Sequence, residues 1–248
     1  IVWPRALTSD EMKSVTDYMI ANLNSPVFIP IIPIPSEYPS NGLNAWYVPG
    51  DFDINNNSWP DRSGNNNNAV LSGSGFIEST STNGGNTKNI TSLEGTTSSI
   101  ISFGEIISSD TEYTVCSITR YTGGTNKRIL VGDHPSGSNN WLHGHYENNK
   151  TGVVHYGNWN NWNVNISPNT KWCVVCASNS STNLFLNGNN IGSSIINDSN
   201  VNSIWINGGD QNPGQESDFA IVELAVWNRA LSESEMSAVS NYMMNRLN

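Results

Sequence analysis

Positive charge is what this sequence has least of. Lys and Arg together number 11 in 248 residues, against 21 Asp and Glu, for a formal net charge of −10. So few cations leave no basic patch for a nucleic acid or an anionic membrane surface, and neither is expected as a partner. Charge of either sign is scarce at 13%, while Asn, Ser, Thr and Gly are abundant, a surface common in secreted proteins. No stretch approaches the roughly 18 apolar residues of a transmembrane helix, so membrane insertion is not expected. A signal peptide and an initiator Met are also missing before Ile1, and the chain reads as a processed mature protein or an excerpt.

Cysteine is nearly absent as well. The three present allow one disulfide and a leftover thiol. Cys173 and Cys176 lie three apart in a predicted strand, KWCVVCAS, so their side chains point to opposite faces and do not easily bond to each other. Cys116, in the strand EYTVCSITRY, is free to pair with either of them. No His or Cys cluster accompanies this C-x-x-C, which therefore reads as buried small residues rather than a metal or redox site.

What the chain has instead is aromatic bulk: nine Trp, eight Tyr and six Phe, within an apolar content of 36%. That suffices for the core of one large all-β domain with an extension. The closing stretch, Phe219 to Asn248, opens with a β-branched and aromatic run free of Gly and Pro, as a buried strand would. Ser232 and Glu235 then form a capping box, and Met236, Val239, Tyr242, Met243 and Leu247 recur at helical spacing.

The same unit opens the chain. Val2 to Met12 aligns without a gap on Val226 to Met236, and the match continues through Val15, Tyr18, Met19, Leu23 and Asn24, with about half of the positions identical. This is an internal repeat, residues 1–24, carrying its own Thr8/Glu11 capping box. Residues 25–42 follow as a connector with prolines at 26, 30, 33, 35 and 39, a density that favours extended backbone. Its apolar residues, Phe28 and Ile29 among them, are expected to lie against protein.

From Leu43 onward the chain reads as short strands separated by Asn, Gly, Asp and Ser turns every 8 to 15 residues, with a type I′ hairpin at Asn187-Gly188. Such a pattern predicts a sandwich or jelly roll. The pieces Leu43-Asn44-Ala45-Trp46-Tyr47, Trp59-Pro60-Asp61-Arg62-Ser63-Gly64-Asn65, Glu112-Tyr113-Thr114-Val115, Lys171-Trp172-Cys173-Val174-Val175, Leu184-Phe185-Leu186-Asn187-Gly188 and Glu223 to Ser232 stand in that order along the chain. Together they resemble a laminin G-like domain of the concanavalin A-like lectin and glucanase superfamily. The resemblance covers about 43–248. It implies an all-β, two-sheet antiparallel jelly-roll sandwich with a short C-terminal helix, here preceded by the strand-helix extension. It also leaves room for a calcium ion at a sheet rim, although nothing in the spacing of Asp51, Asp53, Asp61, Asp133, Asp210 and Asp218 selects a site.

Chemistry is hard to find. The paired carboxylates of a retaining glycosidase are missing, since Glu105 and Glu112 flank a turn and Glu223 stands alone on its strand. No enzymatic activity and no cofactor are expected. The four histidines lie within His134 to His155 without metal-site spacing. The stretch from Asn140 to Trp162 is densest in aromatics and amides. Trp159, Trp162, His143, Tyr156, Asn160 and Asn161 are its candidates for stacking on a sugar and reading hydroxyls, while alternation sends Trp141, Tyr146 and Tyr156 toward a core. N-x-S/T sequons stand at Asn56, Asn89, Asn149, Asn165, Asn179 and Asn197.

Two functions follow for a non-catalytic module placed outside the cell or on a cell or virion surface. One is assembly with other copies of itself into a fibre or array, through Val2, Trp3, Leu7, Met12, Val15, Tyr18, Phe28 and Ile29. The repeat favours it. The other is lectin-like glycan recognition by the jelly roll.

Overall fold

Strand by strand, the turn punctuation becomes a β-sandwich. The computed structural model describes residues 6, 8, 9, 11–13, 16, 33–107, 111–133, 140–147, 150–159, 161–192, 201–209 and 214–248. These fall into two units, 1–33 and 34–248. The strands of the second, in chain order, are β1 (Leu43–Tyr47), β2 (Ser58–Trp59), β3 (Ala69–Gly73), β4 (Ile77–Ser81), β5 (Ile90–Gly95), β6 (Ser99–Gly104), β7 (Thr114–Tyr121), β8 (Leu130–Asp133), β9 (Trp141–Tyr146), β10 (Lys150–Tyr156), β11 (Cys173–Ser178), β12 (Leu184–Leu186), β13 (Asn189–Asn190), β14 (Ser203–Ile206) and β15 (Phe219–Trp227). A helix, α1 (Glu233–Leu247), closes the chain.

One sheet runs β13-β12-β11-β7-β15-β5-β4, with β1 also on β15; the other runs β10-β9-β8-β14-β6-β3-β2. All the pairings are antiparallel. This is the expected jelly-roll sandwich. β15 is its organising strand: all nine residues are buried, and it pairs with β7, β5 and β1. Phe219, Ile221, Leu224 and Val226 join the core between the sheets, beside Tyr47, Leu93, Phe103, Tyr121 and Trp141. The register shift between Ile221 and Glu223 then puts Glu223 outside that core.

The helix makes a third layer. Ser232 caps it through the Glu235 N–H at 3.3 Å, Glu235 reaches back to the Ser232 N–H at 2.8 Å, and Arg229 grips Glu235 with two bonds. Its buried residues, Met236, Val239, Ser240, Met243 and Leu247, recur at helical spacing on a helix that lies against β7, β11 and β12. Cys116 and Cys176 are register partners on β7 and β11 and form a disulfide, while Cys173 is free and buried. Asn187 and Gly188 take the paired positive φ values of 47° and 82° of a type I′ turn. A Cβ on Gly188 would meet Asn241 of the helix at 2.9 Å.

The domain begins earlier than the predicted boundary at residue 43. Its compact unit starts at Ile34, and Tyr38 is buried against Trp46, Trp227 and Tyr242. The reason is polar as well as apolar, because Trp227 donates its indole N–H to the Pro39 carbonyl and Arg229 donates to that of Asn41. β2, β3, β4, β5 and β13 are strands the sequence reading did not single out. In the first unit, Thr8 and Glu11 make the expected capping box at 2.8 and 3.3 Å. Val2, Trp3, Leu7, Val15, Tyr18, Phe28 and Ile29 lie outside the described residues.

Candidate functional site

The aromatic stretch divides by strand periodicity. On β9, Trp141, His143 and His145 turn inward, and β10 adds Val154 and Tyr156 to the same side. Trp141 stacks on Tyr156 with ring centroids 4.8 Å apart and donates its N–H to Tyr113 Oη at 2.9 Å. His143 shares a proton with Tyr156 Oη at 2.6 Å and lies 3.3 Å from the Val175 carbonyl. Burial pushes the imidazoles of His143 and His145 down to about 3, so both stay neutral. His143 and Tyr156, proposed as sugar-reading residues, are therefore core residues. The alternation rule applied to Tyr156 extends to its neighbour on β9.

The opposite face carries the surface cluster. After β10 the chain turns back at Gly157, so that Trp159 bridges His155 and packs edge-on against its ring at 4.8 Å. Trp159 also meets Tyr146 at 5.1 Å and Trp162 at 4.4 Å, and Trp162 meets Tyr146 at 6.0 Å. Trp162 is 41% exposed, whereas Trp159 and Tyr146 are half-buried. Lys150 places its Nζ 4.7 Å above the Trp162 ring and donates to the Trp162 carbonyl at 3.1 Å. Asn161 belongs to the scaffold, accepting from the Val154 N–H and donating to the Gly152 carbonyl. Asn165 braces the same loop by accepting from Thr151. Asn160 lies outside the described residues.

Three contributors escaped the sequence reading. Tyr146 was expected in the core, but it ends β9 on the outward side. Lys150, its register partner, supplies a cation to the platform. Arg128 sits just before β8, buried, with its guanidinium 5.3 Å from the Tyr146 ring centre. No spacing rule flags an arginine that reaches the site from outside β9 and β10.

The acidic side chains act mainly as loop staples. Asp61 accepts from the N–H groups of Trp46, Ser63 and Asn67, and Asp218 from those of Thr97 and Thr125. Asp51 pairs with Arg62, and Asp53 holds Asn56. Asp210 lies outside the described residues. Among those described, no three His, Cys, Asp or Glu side chains gather as a metal site would require. Glu223 faces no cleft: Tyr38 Oη and Trp46 Nε1 donate to it at 2.8 and 2.7 Å, beneath α1.

Of the sequons, Asn56, Asn89 and Asn165 are exposed. Asn179 is half-buried with both ends of its amide engaged, accepting from the Tyr113 N–H and donating to the Thr111 carbonyl. A glycan on Nδ2 would crowd this half-buried, doubly engaged amide, so Asn179 is better read as structural. Asn149 and Asn197 lie outside the described residues.

Fold and surface together define a lectin-type jelly roll with an aromatic patch beside its smaller sheet. A laminin G family model, described as the concanavalin A-like lectin/glucanases superfamily, matches residues 93–237. The chain belongs to that superfamily. No curated protein matches it. Among solved structures, domain 4 of the extracellular arabinanase AbnA from Geobacillus stearothermophilus, in complex with arabinotriose, is 18% identical with a TM-score of 0.55, covering 83% of this chain and 98% of that one. The binding domain of Paraclostridial Mosquitocidal Protein 1 is 17% identical with a TM-score of 0.52, covering 83% of this chain and 53% of that one. Trypanosoma rangeli sialidase, in complex with the inhibitor DANA, is 13% identical with a TM-score of 0.55, covering 94% of this chain and 39% of that one. At these identities the likeness is one of fold.

Proposed function

We propose that the chain is a non-catalytic, extracellular carbohydrate-binding module, and that Tyr146, Trp159 and Trp162 form the surface on which a sugar ring stacks. The observation carrying this is Trp162: a large ring left 41% exposed, yet fixed in place by two aromatic neighbours. Sugars present apolar C–H faces to such rings, and a ring already ordered loses little entropy on binding. The arabinotriose complex of the arabinanase domain is compatible with this reading. Printed glycan arrays probed with the protein and with Trp162→Ala test it. Binding by the first that the second loses, at unchanged thermal midpoint, supports the platform. Binding that survives in Trp162→Ala moves the sugar site elsewhere.

Assembly remains a second reading because of one pattern. Positions identical between the two copies include Trp227, Leu231, Met236, Val239, Met243 and Leu247, all buried in the closing unit. Met12, the counterpart of buried Met236, is 52% exposed. A complete copy already fills its own slot with β15, so docking by residues 1–24 requires a sheet that lacks a closing strand. Light scattering of the full chain beside one starting at Ile34 tests this, with assembly expected only in the longer one.

A further inference from the structure

Among the described residues, the buried and partly buried arginines are ion-paired with a carboxylate, with one exception. Arg62 meets Asp51, Arg120 meets Glu94 at 3.0 Å and Arg246 meets Glu223 at 2.5 Å. Arg128 is only 8% exposed, and among the described residues its guanidinium has a neutral hydrogen-bond partner in the Tyr146 hydroxyl, no carboxylate, and nothing at Nε. Glu147, the acid beside Tyr146, is taken by Lys127 at 3.0 Å and by Tyr146 Oη at 2.9 Å. The arginine's backbone is fixed by a bond from its N–H to the Gln215 carbonyl at 3.1 Å. Withdrawing a guanidinium from water without a counter-charge is costly. The charge is odd in a second way, because a chain with 21 acidic residues has no shortage of partners to offer.

Its location gives it a use. The guanidinium lies against the Tyr146 ring, and its field adds a smaller share to the lowering of the His155 imidazole that burial mainly causes. Trp159 packs on both of those residues. A cation with no carboxylate partner among the described residues therefore adjoins the aromatic platform, and Lys150 stands over the exposed ring on the same platform.

We propose that the platform recognises an acidic sugar, with Arg128 receiving the carboxylate of a uronic or comparable acid while the sugar ring lies on Trp159 and Trp162. A guanidinium fork matches a carboxylate with two parallel bonds, a geometry that a lysine does not reproduce. This rests on the reading of the aromatic cluster as a sugar-binding surface.

The test uses the full chain on an array of neutral and carboxylate-bearing oligosaccharides, followed by calorimetry with trigalacturonate and its trimethyl ester. The acid is expected to bind at least tenfold tighter than the ester, with the preference falling as salt rises. Arg128→Gln should lose the preference while keeping the ester's affinity. Equal binding of acid and ester by the unaltered chain overturns the role of Arg128 and leaves the platform standing. Absence of binding to every sugar on the array overturns the platform and this inference with it. Unliganded Arg128→Met provides an independent reading. An unchanged or raised thermal midpoint fits a charge kept for a ligand, whereas a fall of more than a few degrees shows that the chain's own groups hold the arginine and defeats the proposal.

Discussion

Glu223, fully shielded in the middle of the closing strand, is ion-paired through Oε2 with Nε of Arg246 in the last turn of the C-terminal helix, 2.5 Å away. Tyr38 and Trp46 donate to the same carboxylate. Four segments distant in sequence (the entry chain, the first strand, the closing strand and the helix) thus converge on one buried charge.

That convergence predicts an order of effects. Removing Arg246 leaves Glu223 buried with neutral donors alone, whereas removing the charge of Glu223 leaves Arg246, whose side chain is one quarter exposed, free to reach water. Arg246→Met is expected to cost about 3 kcal/mol and Glu223→Gln about 1–2 kcal/mol, because an amide oxygen still accepts from Tyr38 and Trp46. Urea unfolding of both variants measures this. A larger loss in Glu223→Gln would refute the order.

Histidine burial predicts a pH dependence. His143 and His145 hold their protons only near pH 3 when folded, against an ordinary value of 6.5. The unfolded chain therefore binds more protons than the folded one below pH 6.5, and stability falls as pH falls. Between pH 6.5 and 5, above most carboxylate titration, each contributes a slope approaching ~1.4 kcal/mol per pH unit. His155, also held low by burial, adds in the same direction. His145→Leu should flatten the slope by one histidine's share; among the described residues its Nε2 has no partner, and its Nδ1 gives up a long contact of 3.4 Å to the Thr119 hydroxyl. An unchanged slope in that variant, followed by urea midpoints across the range, would contradict the assignment.

The disulfide closes a loop with a sequence separation of 60, joining two central strands beneath the helix. Loop-entropy arguments put its removal at about 4 kcal/mol, provided the replacements fit. The double variant Cys116→Ala with Cys176→Val should lose that amount in guanidinium unfolding. Cys173→Ala should lose far less, because only a small side chain is trimmed. Equal losses would show that packing, not the cross-link, matters at these positions.

Much of the fold was legible because its longest buried strands announce themselves. β7, β11 and β15 are β-branched and aromatic runs bounded by turns, and the capping box at Ser232 marks the helix start. β3, β4 and β5 were not legible: VLSGSG, IESTSTNGGN and ITSLEG alternate apolar residues with Ser, Thr and Gly, the composition of a loop, and edge position keeps β4 largely exposed. At the site, Trp159 and Trp162 were visible as a Trp pair among asparagines. His143 and Tyr156 misled because aromatic density says nothing about facing, which the register of β9 on β10 decides. Arg128 was invisible for a different reason. Its significance is that no described carboxylate pairs with it, and a contact that is not made leaves no trace in sequence.

The two tryptophans differ in what they support, and this separates a binding surface from a packing cluster. Trp159 is edged against His155, Tyr146 and Trp162, so its loss forfeits three ring contacts, each worth about 0.5–1.5 kcal/mol. Trp162 keeps a large part of its ring in water, touching Trp159, Tyr146 and the Lys150 ammonium. Trp159→Ala should therefore lower stability by about 2 kcal/mol, since partial burial discounts the three contacts. Trp162→Ala should cost under about 1 kcal/mol, with rim exposure reducing its two contacts further. If the cluster only packs the hairpin, ligand affinity tracks stability and Trp159→Ala is the worse variant in both respects. If it is a platform, the order reverses for binding: Trp162→Ala loses about tenfold or more while its urea midpoint hardly moves, and Trp162→Phe recovers most of the loss because a flat face returns. Paired measurements of midpoint and affinity on the three variants decide between these orders, and a Trp162→Ala protein that binds as tightly as the unaltered chain would rule out the platform.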